Sequence, residues 1–153
     1  MEKMKRFLSL ALVICLLVGM SFPASAAVII PDGTFSSNYF SSYGCVIGDN
    51  GGHVLHITFS VTGMGICDEI GVANFCVEKQ YTLEDGTKIW SNISGLIPGQ
   101  TRTNAMYCTY GVNFQGVAGE RYRVRATFVC VKTINGEVGM ETKSVTTTSV
   151  VVN

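Results

Sequence analysis

The residue types in this chain that could do chemistry are two histidines, a scatter of cysteines and carboxylates, and a run of alternating arginines. His53 and His56 are the only histidines. Three positions apart on an extended chain they project to opposite faces, so neither a metal ion nor a proton-transfer centre could use both. A cysteine nucleophile needs a histidine beside it and a third group to orient that histidine, and no such set is suggested here. Beyond Cys15, the cysteines stand at 45, 67, 76, 108 and 130. Their spacings contain no Cys-x-x-Cys pair of the kind that builds zinc sites. Asp68-Glu69 and Glu84-Asp85 adjoin turn sequences, where acidic residues serve solvation and turn geometry. No cofactor motif is present. These residues assign no catalytic group, no metal and no cofactor, and the expectation is a protein that is not an enzyme.

The arginines carry the more specific signal. Arg121, Arg123 and Arg125 recur at every second position, which on a strand aligns three guanidinium groups on one face at about 7 Å intervals. Such a stripe could hold an acidic glycan or an acidic protein patch through charge-assisted hydrogen bonds. The competing explanation is that Glu78 and Glu141 on neighbouring strands pair with it across the sheet. Trp90 and Tyr107 fall out of phase with the apolar faces of their own segments. Exposed aromatics of that kind stack on sugar rings, whereas the only Trp of a small domain can equally be packed. Asn92-Ile93-Ser94 is an N-glycosylation sequon, meaningful only in a eukaryotic source.

Strands must position these groups. His53 to Thr62 alternates, with Leu55, Ile57, Phe59 and Val61 on one face and His56, Thr58, Ser60 and Thr62 on the other. Gly63-Met64-Gly65 breaks that run. A second spans Ile70 to Tyr81, with Phe75 and Val77 inward and Asn74, Cys76 and Glu78 outward. Asp85-Gly86 marks a hairpin into Lys88–Ser94, and Gly95 to Gly99 a turn. From Thr101 to Phe114, Met106, Cys108, Tyr110, Val112 and Phe114 share a face. Tyr122 to Val131 is the most regular segment, with Tyr122, Val124, Ala126, Phe128 and Cys130 inward. Asn135-Gly136 is another hairpin signal, and Met140 to Val152 supplies a last strand. Seven strands with closely spaced turns predict an all-β fold, a two-sheet sandwich in which each sheet covers one face of the other.

The stretch Gly119-Glu-Arg-Tyr122-Arg-Val124-Arg-Ala126-Thr-Phe128 resembles the sixth strand of immunoglobulin-like and fibronectin type III-like domains. The resemblance implies that Tyr122 anchors the preceding corner through its hydroxyl. It extends as strand order over residues 45–153, with both hairpins in matching places. It departs from antibody-type domains in having no cysteine two residues after Tyr122, none in the first alternating strand, and Trp90 beyond the hairpin. The chain also resembles small exported proteins of Gram-positive bacteria, a likeness that implies no activity.

Residues 2–6 carry three positive charges, and the apolar run Phe7–Met20 is too short to span a bilayer comfortably. Ala24-Ser25-Ala26 follows, so the segment matches a signal peptide cleaved after residue 26. The expected organisation is a leader at 1–26, a loose arm or irregular first strand at 27–44, and one domain at 45–153, released and extracellular. Of 11 basic and 11 acidic residues the leader removes Lys3, Lys5, Arg6 and Glu2, leaving a net charge of about −2. That balance gives no electrostatic case for nucleic acid or an anionic membrane. In an oxidising compartment five cysteines suggest two disulfides and one odd thiol. The sandwich topology implied by the resemblance brings Cys67 and Cys130 to one pole as the preferred bridge. Cys45 and Cys108 are then the second pair and Cys76 the odd thiol.

The leading expectation is therefore a secreted, non-catalytic binding module for a protein or glycan. The alternatives are a self-assembling extracellular protein joined through the odd cysteine, as a disulfide-linked dimer, or through edge strands, and an enzyme or toxin with an unrecognised site.

Overall fold

The computed structural model describes residues 37–153. The leader expected at 1–26, and the arm as far as residue 36, lie outside the described residues. Every regular element among them is an antiparallel strand: β1 Phe40–Asp49, β2 Val54–Thr82, β3 Lys88–Asn92, β4 Ile97–Pro98, β5 Thr101–Gln115, β6 Arg121–Ile134, β7 Glu137–Thr146 and β8 Val150–Val151. The first strand thus begins inside the segment expected as arm or irregular strand. It is irregular there, slipping register between Phe40 and Ser42.

β2 is the spine. Along one edge it pairs with β5 from Val54 to Gly71, then with β4 at Asn74–Phe75 and β3 at Glu78–Thr82. Along the other edge it pairs with β1 from Leu55 to Gly63, then with β6 from Glu69 to Lys79. β7 and β8 follow one another along the outer edge of β6. The expected break at Gly63-Met64-Gly65 is a bulge inside one 29-residue strand. Five steps of β2, Thr62 to Cys67, face two steps of β5, Tyr107 to Ala105. Extra residues on one strand of a ladder bend it without ending it, and Gly65 supplies the positive φ of +98°.

The bend lets the two halves of β2 share a core. Leu55, Ile57, Phe59 and Val61 of the first half are buried, as the alternation predicts, and so are Phe75 and Val77 of the second. The Phe59 and Phe75 rings meet at 4.8 Å, and Tyr43 of β1 meets Phe128 of β6 at 5.8 Å although those strands share no ladder. All-β architecture is therefore as expected, but its hydrogen bonding differs from the seven-stranded, two-sheet arrangement. Eight strands form one open antiparallel network, because β2 continues through the bend instead of stopping at it.

Local signals in the sequence match their structures closely at the hairpins. Asn135 and Gly136 take φ of 55° and 85°, the left-handed pair that a two-residue hairpin requires. Gly86 has φ 82°, and Thr87 N donates to Asp85 Oδ1 at 2.8 Å. The expected last strand, Met140–Val152, is divided at Thr147. That residue donates its N–H to Val124 O and accepts from Val124 N through Oγ1, both at 2.9 Å, so its side chain completes the ladder where the backbone departs from it. Tyr122 is buried, and its hydroxyl accepts from Val117 N at 3.1 Å, tying the turn before β6 to the strand. Met106, expected on a buried face with Cys108, is exposed because it lies opposite the bulge, outside the paired register.

Candidate functional site

Alternation places Arg121, Arg123 and Arg125 on the outer face of β6, since Tyr122, Val124 and Ala126 between them are buried. Register sets Glu78 of β2 opposite Arg123 and Cys76 opposite Arg125. On the far side of β2, Asn92 faces Glu78 and Trp90 faces Gln80. The outer face of three adjacent strands therefore converges on Glu78.

Glu78 is only 6% exposed although it points away from the core. Its Oε2 accepts from Arg123 Nε at 2.6 Å, and its Oε1 lies 3.5 Å from Arg125 Nη2. The Arg123 guanidinium continues across the strand to sit over the Trp90 ring, 4.3 Å from its centroid. A cation stacked on an indole while bonded to a carboxylate is held from two directions. Arg125 Nη2 also lies 3.9 Å from Cys76 Sγ, and these contacts with Cys76 and Glu78 raise the Arg125 pKa further. Arg121, exposed, donates through Nη1 to Ser149 Oγ at 3.1 Å. Beside the cluster, Lys79 and Glu120 neutralise one another at 3.0 Å.

The stripe is aligned as its spacing predicts, and the cross-strand pairing expected of it is made in part. Glu78 pairs with the stripe, but one carboxylate stands against three guanidinium groups, and the outermost, Arg121, has only a neutral partner. Glu141, the other expected partner, is on the inner side of β7 opposite Cys130 and pairs with Lys143 at 2.9 Å. Trp90 belongs to the cluster, with one ring face occupied by Arg123. Tyr107 does not: it sits on β5 opposite Thr62, 60% exposed, along the first half of β2. Cys76, expected outward, does point outward but is 1% exposed. Reading phase from alternation could not show this, because long side chains from the neighbouring strands cover it.

All five described cysteines are buried thiols. Cys130 donates to Cys67 with the sulfurs 2.8 Å apart, outside the roughly 2.05 Å of a disulfide. Cys45 and Cys108 are not brought together. They lie on β1 and β5, opposite Phe59 and Val61 on the two edges of β2, so two strand spacings of about 4.8 Å separate them. A disulfide spans Cα atoms about 4.4–6.8 Å apart. The physical reason is that a shared neighbour strand intervenes. Cys76 and the others leave no exposed thiol among the described residues for a link between copies. Burial pushes the Cys45 thiol up to about 12, and burial together with Cys67 does the same for Cys130.

His56 Nδ1 is 2.8 Å from Asn113 Oδ1 on the outer face of the first half of β2, and His53 occupies the preceding turn with φ 66°. Among the described residues no three histidine, cysteine or carboxylate side chains gather as a metal-ligand set. Comparison with protein-family models, curated proteins and solved structures gives no match. The functional conclusion therefore rests on the geometry of this face.

Proposed function

We propose that the chain is an exported, non-catalytic binding module whose β2–β6–β3 outer face holds an acidic partner, a glycan or a protein surface. The observation that carries it is the buried Glu78 gripping Arg123 and Arg125 while Trp90 backs Arg123. A buried carboxylate fixes the two guanidinium groups in place before any ligand arrives, which lowers the ordering cost of binding. Guanidinium groups retain donors beyond those used on Glu78, and their planar forks suit carboxylate and sulfate groups. The excess of three cations over one anion gives the face its sign.

In the same proposal the two halves of the bent sheet act as the two layers of a sandwich of the immunoglobulin or fibronectin type III kind. The Phe59–Phe75 contact and the Tyr122–Val117 corner bond support it. An exported chain meets an oxidising compartment, and Cys67–Cys130 is the pair suited to a disulfide there. Release is checked by intact mass: the secreted chain should begin at Ala27, and a full-length cell-bound species contradicts export.

The binding test uses heparin-like and uronic-acid polymers beside neutral glycans, at low and high salt. Arg125→Ala and Arg121→Ala are the informative variants, because they spare the Arg123–Glu78 bond. Binding should fall at least about tenfold in the double variant and weaken with salt. An affinity indifferent to both overturns the proposal.

Self-assembly through a sheet edge is favoured by one observation. Among the described residues β7 pairs only with β6, and Val138 and Met140 on it are 73% and 69% exposed. Unpaired apolar edges template pairing with another chain. Sedimentation across a concentration range distinguishes this from a monomeric binder, and Met140→Lys should abolish any association seen.

A further inference from the structure

We infer that Cys67 and Cys130 close as one intramolecular disulfide that clamps the bend of β2 to the end of β6, that it closes while the strands are pairing and before the core is sealed, and that Cys45, Cys76 and Cys108 stay thiols. The inference goes beyond the binding proposal and depends on it only for the oxidising compartment.

The two sulfurs meet at one end of the β2–β6 ladder. Cys67 follows the Gly63–Gly65 bulge, two residues before the β2–β6 ladder opens at Glu69↔Val131. Cys130 belongs to the second rung, opposite Ile70. Their sulfurs are 2.8 Å apart, and both residues are fully buried. The surroundings are shaped around this approach. A Cβ on Gly63 would fall 2.5 Å from Cys67 Sγ, so the bulge carries glycine where the sulfur needs room. Lys132, two residues past Cys130, donates to Met64 O at 2.8 Å, a second strap across the same gap. No other pair among the described cysteines has this proximity, since β2 stands between Cys45 and Cys108 and Cys76 lies on the outer face beneath Arg125.

Closure takes two electrons and two protons from the pair. With an external disulfide RSSR as oxidant, one cysteine thiolate attacks it, forming a mixed disulfide and releasing RS⁻. The second thiolate then attacks the protein sulfur of that mixed bond, forming Cys67–Cys130 and releasing the other RS⁻. Both protons end on the released thiols, so the products are one cystine and two RSH. Exchange requires a thiolate with in-line access to the incoming sulfur. In the folded domain neither sulfur is exposed to an incoming oxidant, so the exchange is completed before that burial is. The same burial shields the finished bond from reductants.

The experiment uses the full chain refolded in a glutathione redox buffer, then denatured without reductant and alkylated. Three alkylated cysteines of the five past the leader, a mass lower by two hydrogens, and a linked peptide joining Cys67 to Cys130 are expected. Five alkylations, or a linked peptide containing Cys45, Cys76 or Cys108, overturn the pairing. Cys45→Ser should keep the bridge, whereas Cys67→Ser and Cys130→Ser should each give four alkylations. For the order of events, the reduced folded chain and the reduced chain in urea are mixed with oxidised glutathione. Thiol loss should be on the order of a hundredfold slower in the folded chain, because local opening must come first. Equal rates overturn that part. The bridged chain should melt roughly 10 °C above the reduced one. A bridged chain that ignores acidic polymers would sink the binding proposal and leave this one standing.

Discussion

The two halves of β2 carry the same alternating apolar pattern but end in different surroundings. In the first half Leu55, Ile57, Phe59 and Val61 are buried, while His56 and Ser60 between them are exposed. In the second half Phe75 and Val77 are buried, and the alternate residues Cys76 and Glu78 are buried too. The difference arises on the neighbouring strands. Opposite the first half, the outer positions of β1 and β5 carry short or flat side chains such as Gly44, Val46, Thr109 and Gly111. Opposite the second half stand Arg123, Arg125 and Trp90, long enough to lie across β2. Alternation reports which way a side chain points, and only its neighbours decide whether that direction is wet.

The largest expected effect tests what the halves have in common. Phe59→Ala and Phe75→Ala should each lower stability by about 3–5 kcal/mol in urea denaturation, because the rings fill one shared core. A cost below about 1 kcal/mol for Phe75→Ala would mean that the bend does not bring the halves together.

Outer-face substitutions then test the contrast. Arg123→Met should cost about 1–3 kcal/mol, because Glu78 would keep only the longer Arg125 contact while remaining buried. Adding Glu78→Gln should recover part of the loss, a coupling that a double-mutant cycle reads directly. The hinge itself is probed by Gly63→Ala, whose Cβ would crowd Cys67 Sγ and Gly65 O at 2.5 and 3.0 Å. Overpacking of this kind costs about 1–3 kcal/mol. A neutral result would mean that the bulge relaxes freely.

A smaller effect should appear in acid, where β1 meets β7. Burial acts to raise the Glu141 pKa, but hydrogen bonds from Lys143, Ser37 Oγ and Tyr39 N outweigh it and hold the pKa below the ordinary value of 4.5. A depressed folded pKa contributes stability that is present above the unfolded value and lost as pH falls through the folded one. Urea midpoints measured from pH 6 down to pH 3 should therefore decline more steeply in wild type than in Glu141→Gln. Parallel curves would show that the carboxylate is not held. The smallest effect is expected at Ser60→Ala, in the exposed outer row of the first half, within about 0.5 kcal/mol of wild type.

Much of the fold was legible in the residues. The period-two pattern located β6 and both stretches of β2, and Asp85-Gly86 and Asn135-Gly136 announced their hairpins because positive φ restricts the residues that can turn there. The bend was not legible, since Gly63-Met64-Gly65 reads equally as the end of a strand or as a bulge. Of the candidate site, the Arg121–Arg123–Arg125 alignment followed from spacing alone. Trp90 was named for falling out of phase, yet nothing local connected it to Arg123, 33 residues away. Tyr107 satisfied the same criterion and lies elsewhere.

By itself the sequence determined strand phase, turn positions and the alignment of three guanidinium groups, because these depend on spacing along one chain and on the φ preferences of single residues. Tertiary structure alone decided that β2 runs through its bend, that Glu78 is buried against two arginines, one of them stacked on an indole, that Cys67 meets Cys130, and that Cys45 and Cys108 are kept apart. Each of these depends on which strand lies beside which, and at what register. Those pairings join residues tens of positions apart, and they are selected by the burial of the whole apolar face rather than by any local preference.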